Sequence, residues 1–364
     1  MNKICHVTSV HPYTDGRIFK KECQSLAKKY DVYLIAPNVD NHTQGDVHIC
    51  GVKLPHSRLK RMRSLDAVYK RMLEVDADVY HFHDPELIPI AFKTKKSGKK
   101  VIFDSHEDVP LQISEKAWIP WLIRKPLSSL YRLYEESKFR EFDALVSVTP
   151  SVVERLKECN PNTYQITNYP IYKVIGDHRK WHDCICFTGN ISPQWMHENI
   201  IKSSDYTGVR YVLAGKASEK YLEKLKAIPE WRSVDYKGIV PSEDVPKIQQ
   251  GCIAGIALND YVANVGYKLG SLGNTKLFEY MMAGVPVIAT DFILWKEIIE
   301  KYQCGICVNP RDVGAITQAI IYLKGHREEA KRMGNNGMKA VKEQYNWASQ
   351  ETILYEMYDN VLKQ

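Results

Sequence analysis

The sequence predicts an α/β protein built from two doubly wound parallel-sheet units in tandem. Three observations carry that expectation. Short apolar runs that read as buried strands alternate with amphipathic helical stretches from the first residues onward. The alternation stops near residues 160–182 and then restarts. At 364 residues the chain is too long for one ordinary core and suits two domains.

In the first unit the strands expected are "KICHVTSV" (3–10), "DVYLIAP" (31–37), "DVYHFH" (78–83), "KVIFDSH" (100–106) and "ALVSVTP" (144–150), with an amphipathic helix over "GRIFKKECQSLAKKY" (16–30). In the second they are "CICFTGN" (184–190), "VRYVLAG" (209–215), "VDYKGIV" (234–240), "IAGIAL" (253–258), "VPVIAT" (285–290) and "GICVNP" (305–310). The segment 160–182 is rich in Pro, Asn and charge and lacks either periodicity, which makes it the linker candidate. We therefore expect an N-terminal domain over 1–170 and a C-terminal domain over 178–345, with the last helix, 346–364, packing back on the first domain.

Composition narrows the function classes. With 44% hydrophobic and 26% charged residues the chain reads as an ordinary folded protein. A net charge of +7 without aromatic-basic repeats or zinc-finger spacing suits anionic small molecules or an acidic membrane surface, and argues against nucleic acid as a partner. No secretory signal and no long apolar run is visible, so a cytoplasmic location is expected. Nine cysteines, mostly inside strand-like runs, read as small core residues rather than disulfide partners. The lone CxxC, Cys304 to Cys307, has no second pair to complete a metal site.

Ligands of open α/β sheets bind beyond the carboxyl ends of the strands, and those positions are polar here. After the first strand come Asp15, Gly16 and Arg17; after later ones His83 with Asp84, then Asp104, His106, Glu107 and Asp108; in the second unit Gly189 with Asn190, and Gly215 with Lys216. "NTKLFEYMMAGVPVIATD" (274–291) adds a short helix preceded by Gly273, Asn274 and Thr275, with Lys276 in its first turn and Glu279 one turn on. Amides and a lysine there suit a diphosphate, and the acid suits a ribose diol. Equally, Asn274 can be a plain cap and Glu279 a solvated side chain. His81, His83 and His106 allow a rival, a metal-dependent hydrolase. The stretch 116–140, with Trp118, Trp121, Arg124 and Lys125, reads either as a segment at an anionic membrane interface or as a core helix with a basic outer face.

"NTKLFEYMMAGVPVIATD", "WKEII" (295–299) and "CGICVNP" resemble the donor-binding segment of GT-B glycosyltransferases of the family 4 type, the retaining group that includes bacterial capsule and lipopolysaccharide enzymes. "HPYTDGRIFKKECQSLAKKYDVYLIA" and "VIFDSHED" resemble that group's N-terminal domain. The resemblance implies two Rossmann-like domains facing a central cleft, a nucleotide-diphosphate sugar on the C-terminal one and a saccharide or lipid-linked acceptor on the N-terminal one. It implies Glu279 on the donor ribose, Gly273, Asn274 and Thr275 on the diphosphate, and His106 as the catalytic histidine beside the donor sugar. It implies no metal and no cofactor beyond the co-substrate, and a cytoplasmic enzyme, peripheral at the membrane. A nucleotide-sugar epimerase of the same fold, or a non-catalytic binder, is the alternative. The family pairs two glutamates; the earlier position here is Ser271. The family's phosphate-clamping Arg and Lys are missing from "GNISPQWMHENI" (189–200), which leaves Lys276 or Lys268 to replace them.

Overall fold

The structure, a computed structural model, describes residues 1–106, 108–116, 118–176 and 182–363, and the side chains of all of these but Asn264. Glu107, Ala117 and part of the expected linker (177–181) lie outside the described residues. The chain forms two compact units, Met1–Asn168 with Trp347–Gln364, and Tyr169–Asn346.

The first unit holds β1 (Lys3–Val7), β2 (Asp31–Pro37), β3 (His42–Gln44), β4 (Val47–Val52), β5 (Val79–Phe82), β6 (Lys100–Ser105), β7 (Ala144–Ser147) and β8 (Thr163–Gln165), in the order β3-β4-β2-β1-β5-β6-β7-β8. All neighbours are parallel except the β3–β4 hairpin. The order reverses direction between β1 and β5, which is where such a sheet opens a crevice at its carboxyl edge. The helix Trp347–Lys363 packs Leu354, Met357, Tyr358 and Val361 against Ile4, Val32 and Leu34 of one sheet face. Trp347 Nε1 donates to Ser25 Oγ at 2.8 Å, and Gln350 Oε1 accepts from the Thr167 amide at 2.7 Å.

The second unit holds β9 (Cys184–Thr188), β10 (Arg210–Ala214), β11 (Val234–Gly238), β12 (Ala254–Ala257), β13 (Val287–Thr290) and β14 (Gly305–Val308). Their order, β11-β10-β9-β12-β13-β14, is wholly parallel and is the strand order of a dinucleotide-binding fold, with its switch point between β9 and β12.

Two expectations need correction. The stretch 42–52 carries the β3–β4 hairpin, closed by Gly45 at φ 61°, a left-handed conformation that glycine adopts without strain. The linker candidate begins with β8, which pairs with β7, so the first sheet uses residues its lack of periodicity assigned to a loop.

Candidate functional site

In the second unit the site gathers at the end of β9. Gly189 follows the strand at φ 140°, and a Cβ there would lie 2.0 Å from Lys276 Nζ. Gly215, after β10, packs so closely on Gly189 that its own Cβ would come within 1.7 Å of the Gly189 carbonyl oxygen. Two side-chain-free turns therefore meet, and Lys276 fills the space beside them. Its ammonium donates to the Thr188 carbonyl at 2.9 Å and lies 4.8 Å from the Phe187 ring centre and 5.3 Å from that of Trp195. Burial lowers its pKa, with Glu279 acting against that.

The helix that carries these groups is short, Lys276–Met282, and buries Leu277, Phe278, Tyr280 and Met281. Glu279 is half-buried and accepts from Thr275 Oγ1 at 2.7 Å, so it is neither core nor freely solvated. Ser271 is buried; its Oγ accepts from the Gly273 amide at 3.1 Å and its carbonyl from Trp295 Nε1 at 2.9 Å. The amide expected from Gly273 for a diphosphate is thus engaged by Ser271, and Asn274 Oδ1 accepts from the Lys276 amide at 3.1 Å. Asn190 directly follows Gly189 and is exposed. Lys268 Nζ stands over the Tyr261 ring, 5.1 Å from its centre.

In the first unit strand alternation puts His6 of β1, His81 of β5 and Asp104 of β6 on one sheet face, with His83 just beyond β5; His6 and His81 are register partners. The backbone over Ile18–Cys23 is a π-helical turn, with the Lys20 and Glu22 amides donating five residues back to Asp15 and Arg17. That widened turn sets Arg17 and Glu22 facing inward. Arg17 Nε and Nη2 donate to Asp104 Oδ2 at 2.9 and 2.8 Å, Nη1 donates to the Ile166 carbonyl at 2.9 Å, and Glu22 Oε1 is 3.1 Å from Nε. Arg17, one of the polar residues that follow the first strand, is thus buried with each guanidinium nitrogen bonded inside the first unit, rather than facing a ligand. Asp15 Oδ1 caps the turn from the amides of Arg17 and Ile18, and Gly16 lies between them. Asp84 is buried too, accepting from Thr8 Oγ1 and the Ser9 amide, both at 2.7 Å.

The imidazoles form a chain that reaches the surface at His106. His81 Nδ1 lies 2.9 Å from Tyr358 Oη, which lies 3.2 Å from His6 Nε2. His6 Nδ1 is 2.9 Å from His83 Nε2, and His83 Nδ1 is 3.2 Å from His106 Nε2. His106 is the one partly exposed member, at 21% of its side chain. Burial pushes His6 and His81 well below the ordinary imidazole range and His83 down to about 4. Burial also raises the Glu22 carboxyl to about 8 against the pull of Arg17. Asp104 is held well below the carboxylate range because Arg17, and then His106, outweigh its burial.

Residues 174–340 match the family described as glycosyl transferases group 1, and residues 17–166 match glycosyltransferase family 4. The two matches lie end to end over most of the chain. This chain belongs to the GT-B, family 4-like glycosyltransferases. It is 22% identical to a glycosyltransferase of Methanocaldococcus jannaschii, over 94% of this chain and 93% of that one. Among solved structures it resembles a sucrose-phosphate synthase of Thermosynechococcus elongatus (TM-score 0.79, 12% identity, 100% of both chains). It also resembles Anabaena HepE in complex with UDP and glucose (TM-score 0.71, 12% identity, 99% of this chain and 100% of that one). A third is WaaG, a glycosyltransferase involved in lipopolysaccharide biosynthesis (TM-score 0.71, 11% identity, 97% of this chain and 99% of that one). These likenesses are to the fold.

In this glycosyltransferase nothing supports the rival hydrolase, and two of its three histidines are buried. His81 and His83 are 0% and 2% exposed, whereas a catalytic metal needs an open position for water and substrate. Two groups of described residues have metal-compatible spacing, His6 with Glu22, His81 and His83, and His83 with Asp104 and His106. Sequence reasoning missed His6 and Glu22. The alternation in "KICHV" places His6 in a buried strand, and that was the available signal; nothing in "IFKKEC" marks Glu22 as buried. Cys304 and Cys307 are free thiols, the first buried and the second part-buried, and burial pushes both up to about 12.

Proposed function

We propose that this glycosyltransferase moves a sugar from a nucleotide-diphosphate sugar to a saccharide or lipid-linked saccharide, with retention and with no metal at the transfer site. Its setting is the synthesis of a cell-surface polysaccharide at the cytoplasmic face of a membrane. The observation that carries the donor assignment is the Lys276 ammonium held against the Gly189 turn, three residues before Glu279. A cation fixed beside a turn without side chains leaves a diphosphate room to approach, and stabilises the charge of the leaving group without a metal. Glu279 takes the ribose hydroxyls, with Thr275 fixing its carboxylate. Ser271 tightens the loop where the family carries its other glutamate, so the sugar end of the donor meets different contacts here. That HepE was solved with UDP and glucose supports starting with uridine donors.

In this scheme His106 is the catalytic histidine, its Nε2 lying 3.2 Å from His83 Nδ1. The departing phosphate accepts the acceptor's proton. A thermal-shift panel of nucleoside diphosphates and nucleotide sugars tests the donor site. At least one compound should stabilise the wild type, and Glu279→Ala should lose most of that shift. An unchanged panel in the variant would remove Glu279 from the site.

The membrane assignment rests on the helix Trp121–Phe139, which buries only Glu135 and Phe139 among its residues. Ile123, Leu127, Leu130 and Tyr134 form an exposed stripe at helical spacing, with Trp118, Trp121 and Leu122 exposed at its start. The core-helix alternative predicted the reverse, apolar inside and basic outside. Arg124, Lys125, Arg132 and Lys138 flank the stripe, which suits an anionic interface, and no helix among the described residues is long and apolar enough to cross a membrane. Replacing Trp118 and Trp121 together by Glu should weaken binding to phosphatidylglycerol-rich vesicles by about 10²-fold, read by cosedimentation. Equal binding by wild type and variant would contradict this docking face.

A further inference from the structure

We propose that His6, Glu22, His81 and His83 bind one zinc ion as a closed structural centre inside the first unit. One potential ligand atom from each of the four side chains lies within 4.8 Å of those of the other three, and all four are at most 2% exposed. Their facing atoms are His6 Nδ1 and His83 Nε2, 2.9 Å apart, with Glu22 Oε2 at 3.8 and 3.9 Å from them. Ligands of a tetrahedral zinc at ordinary bond lengths lie about 3.4 Å apart, so shifts of about half an ångström make these three regular, and His81 offers its atom within 4.8 Å of them.

Three independent features favour the ion over a merely hydrogen-bonded cluster. First, His81 Nε2 and both Glu22 oxygens are buried and make no hydrogen bond to any described residue, and a buried polar atom left unpaired costs about 1–3 kcal/mol. Arg17 Nε lies 3.1 Å from Glu22 Oε1 without making a hydrogen bond to it. The ion would satisfy the histidine nitrogen and one carboxylate oxygen.

Second, the far-side nitrogens of His81 and His6 have an oxygen partner of the kind that orients a zinc-bound histidine, while that of His83 lies 3.2 Å from His106 Nε2. His81 Nδ1 and His6 Nε2 converge on Tyr358 Oη at 2.9 and 3.2 Å, and His83 Nδ1 lies 3.7 Å from Asp104 Oδ2. Outer oxygen acceptors of this kind fix the ring orientation and tautomer of metal-bound imidazoles. Third, three imidazoles and a carboxylate are a ligand set for zinc, and enclosure by four protein groups leaves no place for substrate. The centre is therefore distinct from the metal-free transfer chemistry, and its consequence is to hold His83, and through it His106, in one orientation.

Zinc content of the full-length protein, purified without chelator and measured by mass spectrometry, tests this directly. One zinc per chain is expected in the wild type. Glu22→Gln and His81→Ala should each lose it, and His106→Ala should retain it. Cobalt added to chelator-stripped wild type should give the visible bands of a four-coordinate ion, which reads the site without relying on any variant to fold. Wild type that neither carries zinc nor takes up zinc or cobalt would overturn the proposal. So would loss of the ion in His106→Ala with retention in Glu22→Gln, which would move it to the His83, Asp104 and His106 group. Neither result bears on nucleotide binding by the second unit.

Discussion

Replacing Lys276 by Met is expected to lower kcat/KM for the donor by about 10²–10³-fold, the usual effect of removing one preorganised electrostatic contact to a developing anion. The ammonium works in a poorly solvated setting, between the Thr188 carbonyl and the Phe187 and Trp195 rings, where a charge counts for more than in water. Methionine keeps most of the packing volume against those rings and removes the desolvated charge. Unfolding stability should therefore stay level or rise while transfer collapses. A structural role would give the opposite pattern, with stability falling and the surviving folded enzyme transferring normally. Steady-state kinetics combined with urea unfolding separates the two.

Arg17→Ala should destabilise the first unit by about 3–5 kcal/mol, the cost of breaking a buried ion pair from one side. The loss takes the 2.8 and 2.9 Å guanidinium bonds from Asp104, leaving it the imidazoles of His106 and His83 at 3.4 and 3.7 Å, and frees the Ile166 carbonyl. The burial of Arg17 keeps solvent from taking over those contacts. Equilibrium urea unfolding should show a lower midpoint, and Arg17→Lys should recover part of it, since a lysine restores charge but not the forked geometry. A midpoint equal to wild type would mean that the pair contributes nothing net.

Most of the parallel strands were legible because they are buried and so read as apolar runs with little polar interruption, as in "DVYLIAP" and "CICFT". β3 escaped notice because its three residues are exposed on an outer strand, and β8 because it is a three-residue edge strand in a Pro- and Asn-rich context. The site was harder. Reading "GRIFKKEC" as an ordinary amphipathic helix sends Arg17 and Glu22 to solvent, whereas the π-helical turn rotates both into the interior. Periodicity assumes one helical pitch, and the local departure from it is what builds the charged core of this unit. Around Glu279 the sequence carried more. Lys276 and Glu279 stood out in one short helix, but only the fold shows that Lys276 reaches back to the turn after β9, where the family's own phosphate-clamping residues are missing.

Calorimetric titration of uridine, adenosine and guanosine diphosphates into wild type and Lys276→Met, in chelator-treated buffer, tests the donor site most directly. At least one diphosphate should bind the wild type without metal and lose about ten-fold or more in affinity in the variant, as expected for removal of a charge-assisted contact. Absence of binding by all three, or equal affinity in both proteins, would contradict a nucleotide-diphosphate site at Gly189 and Lys276.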